Sequence, residues 1–318
     1  MDIPYNDLSI TSDMVFQYVF SSPGCEPGLL SFINAVQADA HRPLAREVVV
    51  KSPFNPQLFL GGKRSVLDIK AIDDNNRTYD IEMQTVNKDA FLNRILYYWS
   101  RLYCEQIQEG DSYTRLNAVV SIVLTRFVLF PKLPDIHNVF YITAEKNPEY
   151  ILTDDLQIHT LELAPPKLAA LGEIQEPLRR WLDFLSTANE KTEVDMKVLL
   201  TQDGGLKVAY DKFREFTRND EYRQIALAHE KYQRDRLAEM SLARKEGIAL
   251  GEEKGRAEGR AEGRVEAVAD LLRLRFPGTF TSEMESKIRQ ISDLAKLDQL
   301  FAAGVKADNV GDLTKWFR

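Results

Sequence analysis

The stretch SVLDIKAIDDNNRTYDIEMQ, from Ser65 to Gln84, decides the fold of the first half of the chain. Two segments rich in apolar residues flank a polar, asparagine-containing centre, which predicts two strands joined by a turn. Each segment carries an acidic residue within its apolar run, Asp68 in the first and Glu82 in the second. Because a carboxylate among buried neighbours is costly, these two acids require a compensating group.

Side chains alternate between the two faces of a strand, so Asp68 shares a face with Lys70, and Glu82 shares a face with Gln84. A three-residue loop at 74–76 places Asp68 directly opposite Glu82 in a hairpin. The loop contains asparagine, which tolerates the left-handed backbone conformation that such a loop needs. The sequence therefore permits two carboxylates side by side on one face.

Two interpretations of this acidic pair are open. Adjacent carboxylates repel each other, and a divalent cation removes the repulsion; an all-oxygen site favours Mg²⁺ or Mn²⁺ over Zn²⁺. In the second interpretation the hairpin has a merely hydrated polar face, and Asp68 and Asp80 pair with Lys70 and Arg77.

The segments around the hairpin predict one α/β domain over the first ~165 residues. Helical patterns occur at 11–20, where Thr11 or Ser12 is the predicted cap, at 29–37, and at 88–108, where Gly110 is the predicted end. Strand patterns occur at 46–53, 116–130, 138–143 and 156–163, and the continuous apolar run in 116–130 is typical of a buried central strand.

After residue 165 the sequence predicts helices only. Residues 173–245 either pack on the core or form their own bundle. Residues 247–266 read GIAL GEEK GRAE GRAE GRVE, a period of four that lines up glycine, arginine and glutamate in drifting stripes on a helix. This segment is either a helix that packs against a partner helix or a hydrated linker, and we expect the C-terminal helical region to mediate homo-oligomerisation. The predicted domains are a core at 1–165, a helical extension at 166–245, the repeat helix or linker at 246–268, and a small helical module at 269–318.

Composition limits the remaining possibilities. The formal charge of -7 and the pI of about 5.4 argue against a general nucleic-acid coat but do not exclude a nuclease, whose metal site is acidic. No apolar run reaches the ~18 residues of a membrane span, and the start MDIPYNDLSI lacks the pattern of a secretory signal. The two cysteines form no motif, and the four histidines show no metal-ligand spacing. We therefore expect a cytoplasmic protein that does not contact membranes.

The segments LDIKAIDDNNRTYDIEMQ and NRILYYWSRLYCEQIQEGDSYTRLNAVVSIVL, with SDMVFQYVF near the start, resemble the recombination-promoting nuclease and transposase family of the PD-(D/E)XK superfamily. The resemblance covers roughly residues 11–130. It implies an α/β fold with a restriction-endonuclease-like core, in which helices flank a mixed central sheet, followed by an all-helical C-terminal region. It also implies Mg²⁺-dependent hydrolysis of DNA phosphodiester bonds, with Mn²⁺ as a substitute metal.

Carried over position by position, the resemblance makes Asp68 the motif aspartate and Glu82 the motif (D/E), both as metal ligands. The carbonyl of Met83 and the side chain of Asp13, on the first helix, are the further candidate ligands. Gln84 occupies the catalytic position at which the superfamily pattern has lysine, so this position carries no positive charge.

Lys70 and three residues of the helix after the hairpin are the candidates for activating the water molecule and for contacting DNA. Lys70, on the same face as the motif aspartate, is the candidate that partly replaces the motif lysine; a salt bridge to Asp80 is the alternative. Arg94, Tyr98 and Arg101, on the helix after the hairpin, are candidates for contacts with the DNA backbone. Alternatively, Tyr98 is a core residue and the arginines form a solvated edge.

Three functions are consistent with these observations. The first is a Mg²⁺-dependent DNA endonuclease associated with recombination or mobile elements. The second is a nuclease-fold protein that binds DNA or partners without cutting. The third is an interaction protein that self-assembles through the repeat helix.

Overall fold

The computed structural model describes residues 8–62, 69–87, 90–191 and 193–317. The helices are α1 (Asp13–Ser21), α2 (Glu26–Asp39), α3 (Phe91–Cys104), α4 (Pro165–Ala169), α5 (Glu176–Thr187), α6 (Glu193–Gln202), α7 (Gly204–Arg218), α8 (Asp220–Arg275), α9 (Ser282–Arg289) and α10 (Leu294–Lys306). The strands are β1 (Val48–Val50), β2 (Ile69–Asp73), β3 (Thr78–Gln84), β4 (Val119–Thr125), β5 (His137–Phe140), β6 (Thr143–Ala144), β7 (Asn147–Ile151) and β8 (Leu156–Glu162).

A mixed sheet of six strands forms the centre of the described N-terminal region, in the order β1–β2–β3–β4–β8–β5. β3, β4 and β8 are parallel, whereas β1, β2 and β5 pair antiparallel with their neighbours. All seven residues of β4 are buried, as expected for a strand with parallel neighbours on both sides. The predicted α/β class, with helices flanking a mixed sheet, is confirmed.

The hairpin of β2 and β3 has the predicted register. Ile69 lies opposite Ile81 and Lys70 lies opposite Asp80, so opposed residues have numbers that sum to 150 (69 + 81 and 70 + 80). Asn76 has a φ of 59°, the left-handed conformation that the three-residue loop was expected to need. Asp68 lies outside the described residues.

The main core lies on one face of the sheet. Ala71 of β2, Tyr79 of β3 and Ile122 of β4 are fully buried there, together with side chains from α1, α2, α5 and α7. Trp181 and Phe213 belong to this same core, so the helical segment after residue 165 packs on the sheet instead of forming a separate bundle. Residues Met1–Arg234 form one compact unit, and the predicted boundary at 165 does not separate two cores within its described part.

Helix α3 covers the opposite face of the sheet. Phe91 and Ile95 pack against Val123 of β4 and Leu156 of β8 in a smaller apolar cluster. The indole Nε1 of Trp99 donates a hydrogen bond to the carbonyl oxygen of Val119 at 2.9 Å. These contacts fix which side of α3 faces the sheet and therefore which polar residues of α3 reach it.

The predicted C-terminal end of the third helix was wrong, whereas the first helix begins after Ser12 as predicted. α3 ends at Cys104 and not near Gly110, because the side chain of Gln106 bonds to both the N–H and the carbonyl of Asn117 and draws the chain toward β4. Ser12 is the residue before α1, but its hydroxyl donates to the carbonyl of Ser9 and caps no helical N–H.

The second compact unit spans Asp235–Arg318. Its core contains Leu272 from α8, Ile288 from α9, and Leu297 and Leu300 from α10, all with no exposed surface. The repeat residues 247–266 lie within α8 and are helical throughout. Within the described ranges, the chain contains no helix with the length and apolar character of a membrane span.

Candidate active site

Polar side chains lie in a row across one face of the sheet, at the carboxyl ends of its parallel strands. Opposed residues of parallel strands share a face, so Gln84 of β3, Thr125 of β4 and Glu162 of β8 lie side by side, with Glu82 two residues back along β3. Glu82 and Gln84 are 5% and 3% exposed, although they lie on the face that α3 covers. Such burial demands partners for both side chains.

Arg94 of α3 supplies the same donor to both residues. Its Nη2 lies 2.6 Å from Oε1 of Glu82 and 2.5 Å from Oε1 of Gln84. Arg94 directly precedes Ile95, whose packing on the sheet points this part of α3 toward the end of β3. The guanidinium carbon also lies 5.3 Å from the ring centre of Phe91. The packing of α3 on the sheet thus places the cationic side chain of Arg94 beside Glu82 of β3.

The Arg94–Glu82 pair is partly withdrawn from solvent, with side chains 32% and 7% exposed. A charged hydrogen bond in such a setting is stronger than one between exposed groups. Within the described residues, Arg94 therefore provides counter-charge for Glu82, one of the two acids that the sequence left uncompensated. The sequence assigned Arg94 to DNA contact and gave no signal of this pairing.

The Glu162 end of the row is structural. Its Oε2 accepts hydrogen bonds from the backbone N–H groups of Leu129 and Phe130, at 2.7 and 3.2 Å. Lys167 lies 3.8 Å from its Oε1 and donates to the carbonyls of Leu133 and Asp135. Glu162 thus ties down the loop after β4, which leaves Glu82 and Gln84 as the candidates for chemistry.

The amino-terminal end of α1 meets this end of the sheet through Arg126, which directly follows β4. The backbone N–H of Arg126 donates to the carbonyl of Gln84 at 3.1 Å, and its Nη1 lies 3.2 Å from Oγ1 of Thr11. Asp13 is the first residue of α1 and lies two residues beyond Thr11. The predicted extra acid is therefore at the end of α1 that Arg126 connects to β3, and Arg126 is a link that the sequence did not indicate.

Asp13 also has partners at the start of α8. Oδ2 of Asp13 lies 3.6 Å from Nε2 of His229, whose ring packs edge-on against Phe59 at 5.3 Å. Burial raises the pKa of the neighbouring Glu230, and the hydroxyl of Ser12 and the charges of Arg234, Asp13 and His229 modify this shift less strongly. A lone histidine on an apolar helix face, as in IALAHEKY, was the only sequence signal for this cluster.

The other predicted residues lie as follows. Lys70 faces Asp80 across the hairpin. The hydrogen bond from Arg101 lowers the pKa of Glu105, burial opposes this shift, and the charges of Arg101 and Lys70 add to it. Arg101 is exposed and its Nε lies 2.6 Å from Glu105 Oε1. Tyr98 is half-buried against the ring of Tyr97.

The structure also gives the contacts of Met83 and Arg77. The side chain of Met83 is buried in the main core, so its backbone carbonyl is what remains for the predicted ligand role. Arg77, which the alternative interpretation of the hairpin paired with an acid of the Glu82 face, bonds instead to Asp73 at 2.6 Å. That part of the alternative interpretation was wrong, because Asp73 lies on the core side and closes the turn.

Carboxylate oxygens are the ligand type that suits a hard divalent cation. Glu82 offers carboxylate oxygen, and the sequence places a second carboxylate, Asp68, just before the first described residue of β2. The described residues contain no group of three or more His, Cys, Asp or Glu side chains able to hold a metal ion. Asp68 lies outside them, so this finding concerns only the rest of the site.

The chain matches a protein-family model. A family model described as a PD-(D/E)XK nuclease family transposase matches residues 10–243, which is well over half of the chain. No curated protein and no solved structure matches the chain. The matched range contains α1, the β2–β3 hairpin, α3 and the histidine of α8. The chain therefore belongs to the PD-(D/E)XK nuclease family transposases.

Proposed function

We propose that the protein is a Mg²⁺-dependent DNA endonuclease that hydrolyses phosphodiester bonds. The register of the β2–β3 hairpin carries this proposal. Ile69 opposes Ile81, and the same pairing continued by one residue would set Asp68 opposite Glu82, on the face that carries Gln84. Family membership supports nuclease activity, and it makes DNA the expected substrate.

The proposed metal ligands are Asp68, Glu82, the carbonyl of Met83 and Asp13. When bound, a Mg²⁺ ion would activate a water molecule and offset negative charge on the scissile phosphate, and Mn²⁺ would substitute for it. The ligands would come from both strands of the hairpin and from the start of α1, elements that the described contacts hold close together.

The other residues of the site hold the reacting groups in place. The amide of Gln84 accepts from Arg94, which fixes both side chains relative to Glu82. Lys70 lies on the same face and would bring a positive charge toward the phosphate. Tyr98 and Arg101, on the more exposed side of α3, would contact the DNA backbone and set its position without reading its sequence.

Cleavage of a supercoiled plasmid in Mg²⁺ at fixed salt tests the proposal. Asp68→Asn should lower the rate at least about 100-fold, since it removes a charge that the site needs. Asp74→Asn is the matched control: Asp74 lies in the same hairpin, is exposed, and its Oδ1 accepts the backbone N–H groups of Arg46 at 2.9 Å and of Glu47 at 3.5 Å. Wild-type protein that leaves DNA intact in Mg²⁺ and in Mn²⁺ would favour the non-cutting, DNA-binding alternative.

We assign this activity to recombination or mobile-element processes in the cytoplasm. The family description names a transposase, and a nuclease of this kind would act where DNA is accessible. Cys25 and Cys104 are free thiols, as expected for a reducing compartment.

We further propose that the protein self-assembles through α8. At the glycines 247, 251, 255, 259 and 263, no heavy atom of another element in the described part of the chain lies within 4 Å of the position where a Cβ would lie. Each glycine costs a helix about 1 kcal/mol relative to alanine, so a partner helix would have to stabilise this segment. A second copy would match Arg stripes with Glu stripes. Deletion of residues 247–266 should then lower the number of chains per particle, measured by light scattering, and an unchanged number would exclude this segment as the assembly element.

A further inference from the structure

The contact of Arg94 with Glu82 has a consequence for metal loading. A cation already lies on the carboxylate that the proposed function gives to a divalent ion, at a distance of 2.6 Å. Two cations near one carboxylate repel each other, and each lowers the affinity of the site for the other. We propose that Arg94 is the resident counter-ion of this site, which a divalent metal ion displaces from Glu82 and which then serves the phosphate. The inference rests on the proposed nuclease function.

The donors of Arg94 support a movable guanidinium. One nitrogen, Nη2, makes the hydrogen bonds to both Glu82 and Gln84. Nε is buried and has no hydrogen-bond partner in the described part of the chain. A buried donor without a partner is unfavourable, so the observed position leaves the guanidinium with an unmet bond that another position can satisfy.

Gln84 gives the direction of the movement. Its Oε1 accepts from Arg94 at 2.5 Å and is neutral, so a bound cation at Glu82 would not break this contact by competing for charge. Gln84 would keep Arg94 beside the site after Glu82 is released. Five N–H donors in a planar fork suit a phosphate group better than the single ammonium of a lysine. Arg94 thus provides at the end of β3 the positive charge that Gln84 lacks.

The alternative is an ion pair with a purely structural role, which only holds α3 against β3. The two alternatives predict opposite changes in metal affinity when Arg94 is replaced. If the pair is structural, its loss weakens metal binding and cleavage together, because Glu82 loses its position. If Arg94 competes with the metal ion, its loss strengthens metal binding while cleavage falls.

The experiment measures Mn²⁺ binding by calorimetry, without DNA, in the full-length wild type, Arg94→Met, Arg94→Lys and Arg115→Met. Arg94→Met should bind Mn²⁺ about tenfold more tightly or better, as expected for the removal of a cation within 4–6 Å. Arg94→Lys should lie between it and the wild type. Arg115→Met is the control, because Arg115 forms an exposed pair with Asp111 outside the site. In parallel, plasmid cleavage at saturating Mg²⁺ should be slower for Arg94→Met than for the wild type.

Unchanged Mn²⁺ affinity in Arg94→Met and Arg94→Lys, in a wild type that cleaves DNA, would overturn the inference and leave the proposed function standing. Weaker binding in both variants would overturn it in favour of the structural pair. If Arg94→Met does not fold, Arg94→Gln, which also removes the positive charge, decides between the same outcomes when its Mn²⁺ affinity is measured in the same way. Absence of Mn²⁺ binding in the wild type would remove the proposed function and this inference together.

Discussion

Asp73 and Arg77 close the turn between β2 and β3 through a buried ion pair, with Nε of Arg77 2.6 Å from Oδ2 of Asp73. The same carboxylate accepts the phenol of Tyr79 at 3.1 Å, and its other oxygen accepts the backbone N–H of Arg77 at 2.9 Å. Arg77 also donates to the carbonyl of Pro43. This network holds the turn in the conformation that sets the hairpin register.

Removal of one partner should therefore destabilise the protein strongly. Arg77→Met leaves Asp73, whose side chain has no exposed surface, as an uncompensated buried charge, and should lower the free energy of unfolding by about 3–5 kcal/mol. The measurement is urea denaturation followed by circular dichroism. Arg115→Met, which breaks an exposed pair, should cost no more than about 1 kcal/mol. Equal effects of the two substitutions would contradict this account of the turn.

Asn76 tests the backbone of the same turn. Its φ of 59° is in the left-handed region, where a β-branched residue is strained by about 1–2 kcal/mol. Asn76→Val should lower the unfolding free energy by that amount, whereas Asn76→Gly should leave it within a few tenths of a kcal/mol of the wild type. A Val variant as stable as the Gly variant would show that the turn adopts another conformation in solution.

The hairpin was predictable because its determinants are local. Alternating side chains, a three-residue loop and an asparagine with suitable backbone preferences specify the register without knowledge of the rest of the chain. Arg94 was identified as a candidate for DNA contact, but its hydrogen bond to Glu82 was not predicted. Its contact with Glu82 depends on how α3 packs on the sheet, and helical periodicity gives the apolar face of α3 without its position along β3.

The cluster around Asp13 could not be predicted for a similar reason. His229 reaches Asp13 only because the start of α8 packs beside α1, which are far apart in the sequence. The sequence likewise left open whether the helices after residue 165 join the core. Trp181 and Phe213 decide this through contacts with distant residues, which composition does not specify.

A pair of adjacent glycines tests the packing of these helices. A Cβ on Gly205 of α7 would overlap Cβ of Ser31 and lie 2.5 Å from the carbonyl oxygen of Pro27, both on α2. Gly205→Ala should therefore cost about 1–3 kcal/mol. A Cβ on the neighbouring Gly204 has no heavy atom within 4 Å, so Gly204→Ala should be neutral or stabilising by up to about 1 kcal/mol. Thermal unfolding of the two variants measures the contrast, and similar shifts would contradict the close contact of α2 and α7.

Buried histidine predicts a loss of stability in mild acid. Burial, with smaller contributions from His137 and Arg42, holds the pKa of His159 well below its ordinary value of 6.5. The unfolded chain therefore binds a proton that the folded protein excludes, and stability falls as the pH drops below 6.5, by up to about 1.4 kcal/mol per pH unit.

The variant that checks this is His159→Gln, which does not titrate. The unfolding free energy of the wild type should fall between pH 7.5 and pH 5.5, and the fall should be smaller in the variant, whatever its absolute stability. Asp39 affects the unfolding free energy at lower pH than His159 does. Burial alone would raise the pKa of Asp39, but hydrogen bonds from His137 and from the N–H of Gln175 outweigh burial and lower this pKa. The contribution of Asp39 to stability is lost only as the pH falls below about 3.8. If the unfolding free energies of the wild type and His159→Gln depend on pH in the same way above that value, the role of His159 is refuted.

The most direct test of the central claim is a double-mutant comparison of initial cleavage rates in saturating Mg²⁺, for Asp68→Asn, Glu82→Gln and the protein with both substitutions. Two carboxylates that hold one cation act as a unit, so either single variant should lose nearly all activity and the double variant should be no slower than the singles. Asp74→Asn, on an exposed carboxylate of the same hairpin, should cleave at the wild-type rate. A Glu82→Gln protein that still cleaves DNA as fast as the wild type would contradict the account.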